Sequence, residues 1–252
     1  MTIKISEPKV DCPVCTPKTG IRFTYLPNGK TCPDCANAGG MERRKREYIE
    51  GAMGCKDIGR FQFKNIEVSQ GNQPAYNMAL LFNPRTDNAY FWGHNGAGKT
   101  FLAQCLAVRW MMDGLSGRFL TAERLRDDFI GLGGSEKQAK IQAFADLDVL
   151  VIDELGLGVK PENCDFMVSC LTNVLNARKN REKNGLIFTS VYEPERLGEF
   201  WNCRHVTSRV EEICNVRHVC PRTPDGKLKD YRIWKSKAVA PETDYKNAAA
   251  GE

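Results

Sequence analysis

No stretch of the sequence approaches the run of about 18 apolar side chains that a helix needs to cross a bilayer. The opening Met1-Thr-Ile-Lys-Ile-Ser-Glu-Pro-Lys has no apolar segment of the kind that begins a secretory leader. Charge of one sign is scarce too. Lys and Arg number 36 against 31 Asp and Glu, and the net +5 permits a nucleic-acid partner without demanding one. Cysteine is not scarce. Eleven is a high count and an odd one, whereas secreted disulfide scaffolds are shorter and follow a leader. The expectation is a cytoplasmic chain with no membrane partner, reduced thiols and at least one cysteine-held metal. With 42% apolar residues in a chain of 252, one main domain can bury a core, with room for a small appendage.

The chain is organised around residues 88–100. Asn88-Ala-Tyr-Phe-Trp reads as a short apolar strand, Gly93-His-Asn-Gly-Ala-Gly98-Lys99-Thr100 as a glycine-rich turn, and Thr100 to about Met112 as a helix. Gly93-x4-Gly98-Lys99-Thr100 fits the phosphate-binding loop in full. A polyphosphate is best met by backbone N–H groups at a helix N-terminus, and glycines let the backbone wrap that closely. The expected nucleotide contacts are Gly93, His94, Asn95, Gly96, Ala97, Gly98, Lys99, Thr100 and Phe101, with Lys99 on the β- and γ-phosphates and the Thr100 hydroxyl on Mg²⁺.

Downstream, Asp148-Val-Leu-Val-Ile-Asp153-Glu154 is a near-continuous apolar run ending in two carboxylates, the pattern of a buried parallel strand whose end opens on a site crevice. Asp153 is expected to complete the Mg²⁺ shell opposite Thr100, and Glu154 to polarise the attacking water as general base. Leu186-Ile-Phe-Thr-Ser190 is the next buried strand. Thr189 or Ser190 at its end could bond a phosphate or the water, or simply cap the strand.

Before the main domain, Cys12-Pro-Val-Cys15 and Cys32-Pro-Asp-Cys35 form a C-x2-C-x16-C-x2-C array. That spacing points to a structural Zn²⁺ closed by four thiolates, with no open position for catalysis. A strand at Gly20–Leu26 and a Pro27-Asn-Gly-Lys turn lie between the pairs. Ala36–Gly40 reads as small and flexible, and Met41–Glu50 as a charged helix. The expected organisation is a zinc-binding module over 1–40, a linker helix over 41–56, a main domain carrying the phosphate loop over 57–237 and a fraying tail over 238–252. Further helices are expected near Pro74–Phe82, Ala122–Ile130, Asp165–Lys179, Pro194–Phe200 and Val206–Val210. A loop is expected at Gly131–Ser135 and a closing strand at Leu228–Trp234. Residues 217–236 carry six basic side chains against two acidic ones.

With these pieces in order, the chain resembles the AAA+ helicase loaders of the bacterial DnaC/DnaI type and the similar IstB transposition helpers. The residues that carry the likeness are Ile58-Gly-Arg-Phe-x-Phe-x-Asn-Ile, Phe91-Trp-Gly-His-Asn-Gly-Ala-Gly-Lys-Thr-Phe-Leu-Ala, Asp148–Gly156, Thr189-Ser190, Ser208-Arg209 and Asp230-Tyr-Arg232. The resemblance implies an α/β fold with a parallel sheet of AAA+ type flanked by helices, behind a small zinc-ribbon-like N-terminal domain. It implies ATP as nucleotide and assembly into a ring or open spiral. It makes Arg209 the finger that reaches a neighbour's ATP site. Arg204 lies beside His205, which stands where the family places a further arginine. Val191 stands where the family usually carries Asn.

The function this implies is an ATP-dependent loader that engages a hexameric replicative helicase and single-stranded DNA, with Lys99, Glu154 and Arg209 as catalytic residues and Ser190 among the nucleotide contacts. A DNA-coating transposition helper that recruits a recombinase would share every one of these residues. A zinc-dependent adaptor with little turnover is the third reading, for which Val191 speaks.

Overall fold

The computed structural model describes residues 9–10, 23–24, 33–157, 164–223 and 226–232, with side chains from residue 42 onward apart from that of Cys164. The chain divides into two compact units, Met1–Gly51 and Ala52–Glu252. In the first, β1 (Lys9–Val10) pairs antiparallel with β2 (Phe23–Thr24), which falls inside the expected strand. Cys12, Cys15 and Cys32 lie outside the described residues, as does the side chain of Cys35, and so does the expected turn at Pro27.

Helix α1 (Pro33–Met53) corrects the flexible segment expected at Ala36–Gly40, because it runs straight through it. Gly39 and Gly40 cost roughly 1 kcal/mol each relative to alanine. Pro33 supplies a pre-set first turn, and the Arg43–Glu47 and Arg46–Glu50 pairs at i,i+4 spacing support the later turns. Gly54, at φ 62°, supplies the left-handed residue that ends the helix.

The second unit opens with two 3₁₀ turns (Ile58–Arg60 and Phe63–Asn65) and helix α2 (Gln73–Leu81). Five strands follow: β3 (Ala89–Trp92), β4 (Gly117–Thr121), β5 (Val149–Leu155), β6 (Leu186–Ser190) and β7 (Asn215–His218). They form one parallel sheet in the order β4-β5-β6-β3-β7. β3, β5 and β6 are apolar almost throughout because helices cover both faces. Helix α3 (Lys99–Met112) packs against β4, β5 and β6. One cluster of the core unites Leu120 and Ile152 from the strands, Phe129, and Met167, Leu171, Leu197 and Val206 from helices α6 (Cys164–Lys179), α7 (Pro194–Phe200) and α8 (Arg204–Ile213). Because β5, β6 and β3 are neighbours, the segments at their carboxyl ends meet at one edge of the sheet.

Several expectations need correction. Helix α4 (Ala122–Asp127) is shorter than expected, and α5 (Gly134–Asp146) fills a stretch to which no helix was assigned. Only Ile141, Phe144 and Ala145 of α5 are buried, too few to write a clear apolar period in the sequence. Arg178 of α6 anchors the end of α5. Its guanidinium is 1% exposed and donates to the carbonyls of Phe144 (3.0 Å), Leu147 (2.7 Å) and Asn184. The strand expected over Leu228–Trp234 reduces to one antiparallel bridge between Leu228 and Arg222, because the chain then turns at Tyr231 to bond the loop after β3, with Ile233 and Trp234 outside the described residues. Among the described residues, no helix is long and apolar enough to cross a membrane.

Candidate active site

The loop after β3 is built for an anion. Gly93 has φ 147°, and a Cβ there would lie 2.2 Å from the Val219 carbonyl oxygen. Gly96 has φ 76°, and a Cβ there would lie 2.0 Å from the Asp230 carboxylate. Both positions demand glycine. Helix α3, which begins at Lys99, has no side-chain cap and no acidic residue in its first turn. Its N-terminal N–H groups and dipole therefore fit a phosphate group.

Lys99 is 8% exposed, and its Nζ donates to the carbonyls of Gly93 and His94, each at 2.8 Å. Burial pushes its ammonium down to about 8, Asp153 and Glu154 oppose that, and Arg232 adds to it. Thr100 Oγ1 donates to Asp153 Oδ1 at 2.9 Å, so the loop and β5 meet through the two groups expected to share a metal ion. Burial raises the Asp153 carboxyl, while hydrogen bonds from the Thr189 and Thr100 hydroxyls hold it down. A cation at that carboxylate would oppose the same desolvation, so the donor set of one hydroxyl and one carboxylate fits Mg²⁺.

Glu154 is exposed and sits at φ 58°, a backbone region that non-glycine residues seldom adopt. The cause is local. The two carboxylates lie within β5 instead of at its end, and the register with β6 slips between Ile152 and Leu155. Such a bulge re-aims a side chain, and here it directs Glu154 towards the cavity while Asp153 stays buried. The Glu154 N–H donates to Thr189 Oγ1 at 3.0 Å, and that hydroxyl donates to Asp153 Oδ1. Thr189 thus braces both carboxylate residues.

Ser190 does something else. Its hydroxyl donates to the Leu155 carbonyl at 2.6 Å and accepts from the Tyr192 N–H at 3.0 Å. Of the two roles expected for this hydroxyl, the structure shows the capping one, bonds to backbone groups that close the strand end, and Ser190 also lines the cavity. Val191 lines the cavity with an apolar side chain.

Lys99, Thr100, Glu154, Thr189, Ser190 and Val191 line a cavity of about 800 Å³, a size typical of small-molecule and cofactor sites, while Asp153 is buried outside that lining and bonded to Thr100 and Thr189. Asn95, Gly96, Ala97, Gly98, Lys99, Thr100 and Phe101 line one wall. Gly93 and His94 lie behind it, holding Lys99 through their carbonyls. The lining also includes the apolar and aromatic side chains of Phe61, Ile66 and Tyr76, and the Phe61 and Phe101 rings pack 5.7 Å apart.

Among the lining residues absent from the expected site are Tyr231 and Arg232. The late Asp-Tyr-Arg segment was the available signal, but nothing in its spacing says that it folds back over the loop. Arg209 and Arg204, by contrast, do not line this cavity. Arg209 on α8 is half-buried and donates to Asn176 of α6, while exposed Arg204 lies near Glu195 (3.8 Å) and Glu199 (3.5 Å). Among the described residues, no cluster of His, Cys, Asp and Glu has the makings of a separate metal site.

A family model described as IstB-like ATP binding protein matches residues 45–201, more than half of the chain. That span holds the loop, the carboxylates and Thr189 but stops short of Arg209. Among similar solved structures, the DnaC helicase loader has 21% identity and a TM-score of 0.54, over 66% of this chain and 99% of that one. DnaI has 15% identity and a TM-score of 0.52, over 73% of this chain and 99% of its own. The replication initiator DnaA, bound to AMPPCP and single-stranded DNA, has 18% identity and a TM-score of 0.55. That likeness covers 71% of this chain, which spans only 54% of the DnaA chain. No curated protein matches the chain in sequence. At these identities the solved structures speak for the fold alone, which is the AAA+ P-loop fold expected.

Proposed function

This chain belongs to the family of IstB-like ATP-binding proteins, an AAA+ ATPase of the kind that serves DNA replication or transposition, and from that premise we propose that it is an ATP-dependent loader of a hexameric replicative helicase. The observation that carries the catalytic part is the hydroxyl–carboxylate cluster of Thr100, Asp153 and Thr189 beside a strained, exposed Glu154 and a buried Lys99.

In this reading Lys99 turns from the loop carbonyls to the β- and γ-phosphates of ATP, supplying positive charge that offsets theirs. Thr100 and Asp153 would hold Mg²⁺, which neutralises phosphate charge when bound. Glu154, projected by the bulge, accepts the proton of the attacking water. Thr189 keeps Asp153 and the Glu154 backbone in register. Arg209, outside its own chain's cavity, completes the site of a neighbouring copy in a ring or spiral, where a guanidinium offsets charge on the transferred group.

The spacing of Cys12, Cys15, Cys32 and Cys35 supports a Zn²⁺ module over 1–40, and in this reading that module engages the helicase. Single-stranded DNA is the proposed second partner, and the mildly basic balance is compatible with it. The test is the native mass of this protein mixed with the hexameric helicase of its host, in ATP. A stable complex supports the loader. Long protein assemblies on DNA without a helicase complex would instead support the second reading, a transposition helper, which the IstB-like match favours.

A further inference from the structure

The chain's last described residues form a strap across the nucleotide cavity. The Lys229 carbonyl lies 3.1 Å from His94 Nε2, and the Tyr231 N–H donates to the Gly96 carbonyl at 3.0 Å. The Asp230 carboxylate fills the space in which a side chain at position 96 would sit, and the Tyr231 ring lies 3.5 Å from the Cβ position of Gly98. The strap therefore touches the phosphate-binding loop at three successive places.

The same residues also grip a second stretch of the lining, at residues 67–72. The Tyr231 hydroxyl donates to the Glu67 carbonyl at 2.9 Å and lies 3.5 Å from Asn72 Nδ2. Lys229 Nζ pairs with the Glu67 carboxylate. Asn72, 5% exposed, holds the Ser69 N–H (2.7 Å) and the Glu67 carbonyl (2.9 Å), which makes residues 67–72 a single bonded turn. Glu67, Asn72, Gly96, Gly98 and Tyr231 all line the cavity.

We propose that Tyr231 is a positioning residue for nucleotide binding, a cross-brace whose ring supports the loop at Gly98 and whose hydroxyl fixes the wall at Glu67. A loop with positive φ at three glycines has many other conformations available to it. Holding it in the binding conformation before the nucleotide arrives raises affinity by removing an ordering cost. The brace touches neither Glu154 nor Thr189, so it acts on binding and leaves the chemical step alone. The inference rests on the cavity being the ATP site.

The test compares full-length protein with Tyr231→Phe and Tyr231→Ala, using a fluorescent ATP analogue for Kd, saturating ATP for kcat, and the nucleotide-free thermal midpoint. Tyr231→Phe keeps the ring and loses one hydrogen bond, so Kd rises about fivefold to tenfold, and Tyr231→Ala weakens binding further. In both, kcat at saturation stays within about twofold. Unchanged Kd in both variants overturns the proposal. So does a loss of kcat at constant Kd, or weaker binding fully accounted for by a lower nucleotide-free midpoint. Lys99→Ala is measured alongside: if it binds the analogue as tightly as the parent, the reading of the cavity itself has failed and not merely the role of Tyr231.

Discussion

Arg209 of α8 is hydrogen-bonded to Asn176 of α6, and neither residue lines the cavity that holds Lys99. An arginine that serves catalysis from there must serve another subunit's site. Arg209→Ala is therefore expected to keep ATP affinity while turnover falls by about 10³-fold, the scale of other arginine fingers. Mixing it with Lys99→Ala should restore partial activity, because interfaces then form that contain one intact loop and one intact finger. A mixture as inactive as its components would contradict the role in trans.

Thr189 Oγ1 joins Asp153 to the Glu154 backbone. Thr189→Val removes both bonds at nearly constant volume, leaving the buried Asp153 carboxylate short of a donor. Steady-state kinetics should show kcat reduced by about tenfold or more, at roughly 1.4 kcal/mol per tenfold. Thr189→Ser should recover most of it. Equal activity in the valine variant would show that Thr189 is only a strand residue.

Lys99 carries a pH prediction. Its ammonium is lowered to about 8, chiefly by burial. It attracts phosphate only while charged, so affinity is full below that value and falls as pH rises through it. Nucleotide Kd should rise about tenfold between pH 7 and pH 9. A lysine at its ordinary value would leave Kd flat over that range, which is the contrary result.

Arg178 is the structural counterpart to these site residues. Its guanidinium serves the carbonyls of Phe144, Leu147 and Asn184 from a position 1% exposed. Arg178→Met keeps much of the volume and strands those acceptors, so stability should fall by about 3 kcal/mol in denaturant titration. A change below about 0.5 kcal/mol would show that water replaces the guanidinium.

What the sequence made legible was local. Gly93, Gly98, Lys99 and Thr100 announce a phosphate loop because the chemistry needs those residues at those spacings, and the apolar runs of β3, β5 and β6 announce a parallel sheet because both faces are covered. The less legible features depend on distant partners. The role of Ser190 is decided by the Leu155 carbonyl, a backbone group on another strand. The bulge at Asp153-Glu154 arises from pairing register, which no pattern within the strand records. Helix α5 buries too narrow a stripe to show a period, and Tyr231 reaches Gly96 and Glu67 from over a hundred residues away. Arg209 was found only through its likeness to a family, and its placement outside the cavity supplies an independent reason to test it in trans.

The central claim is that this cavity binds ATP through Lys99 and hydrolyses it through Glu154. The most direct measurement pairs nucleotide binding with steady-state hydrolysis in Lys99→Ala and Glu154→Gln, at a protein concentration that permits assembly. Lys99→Ala should lose both binding and turnover. Glu154→Gln should bind like the parent and lose turnover by about 10²-fold to 10⁴-fold. Hydrolysis persisting in Glu154→Gln, or equal loss of binding in the two variants, would contradict the roles assigned to this pair.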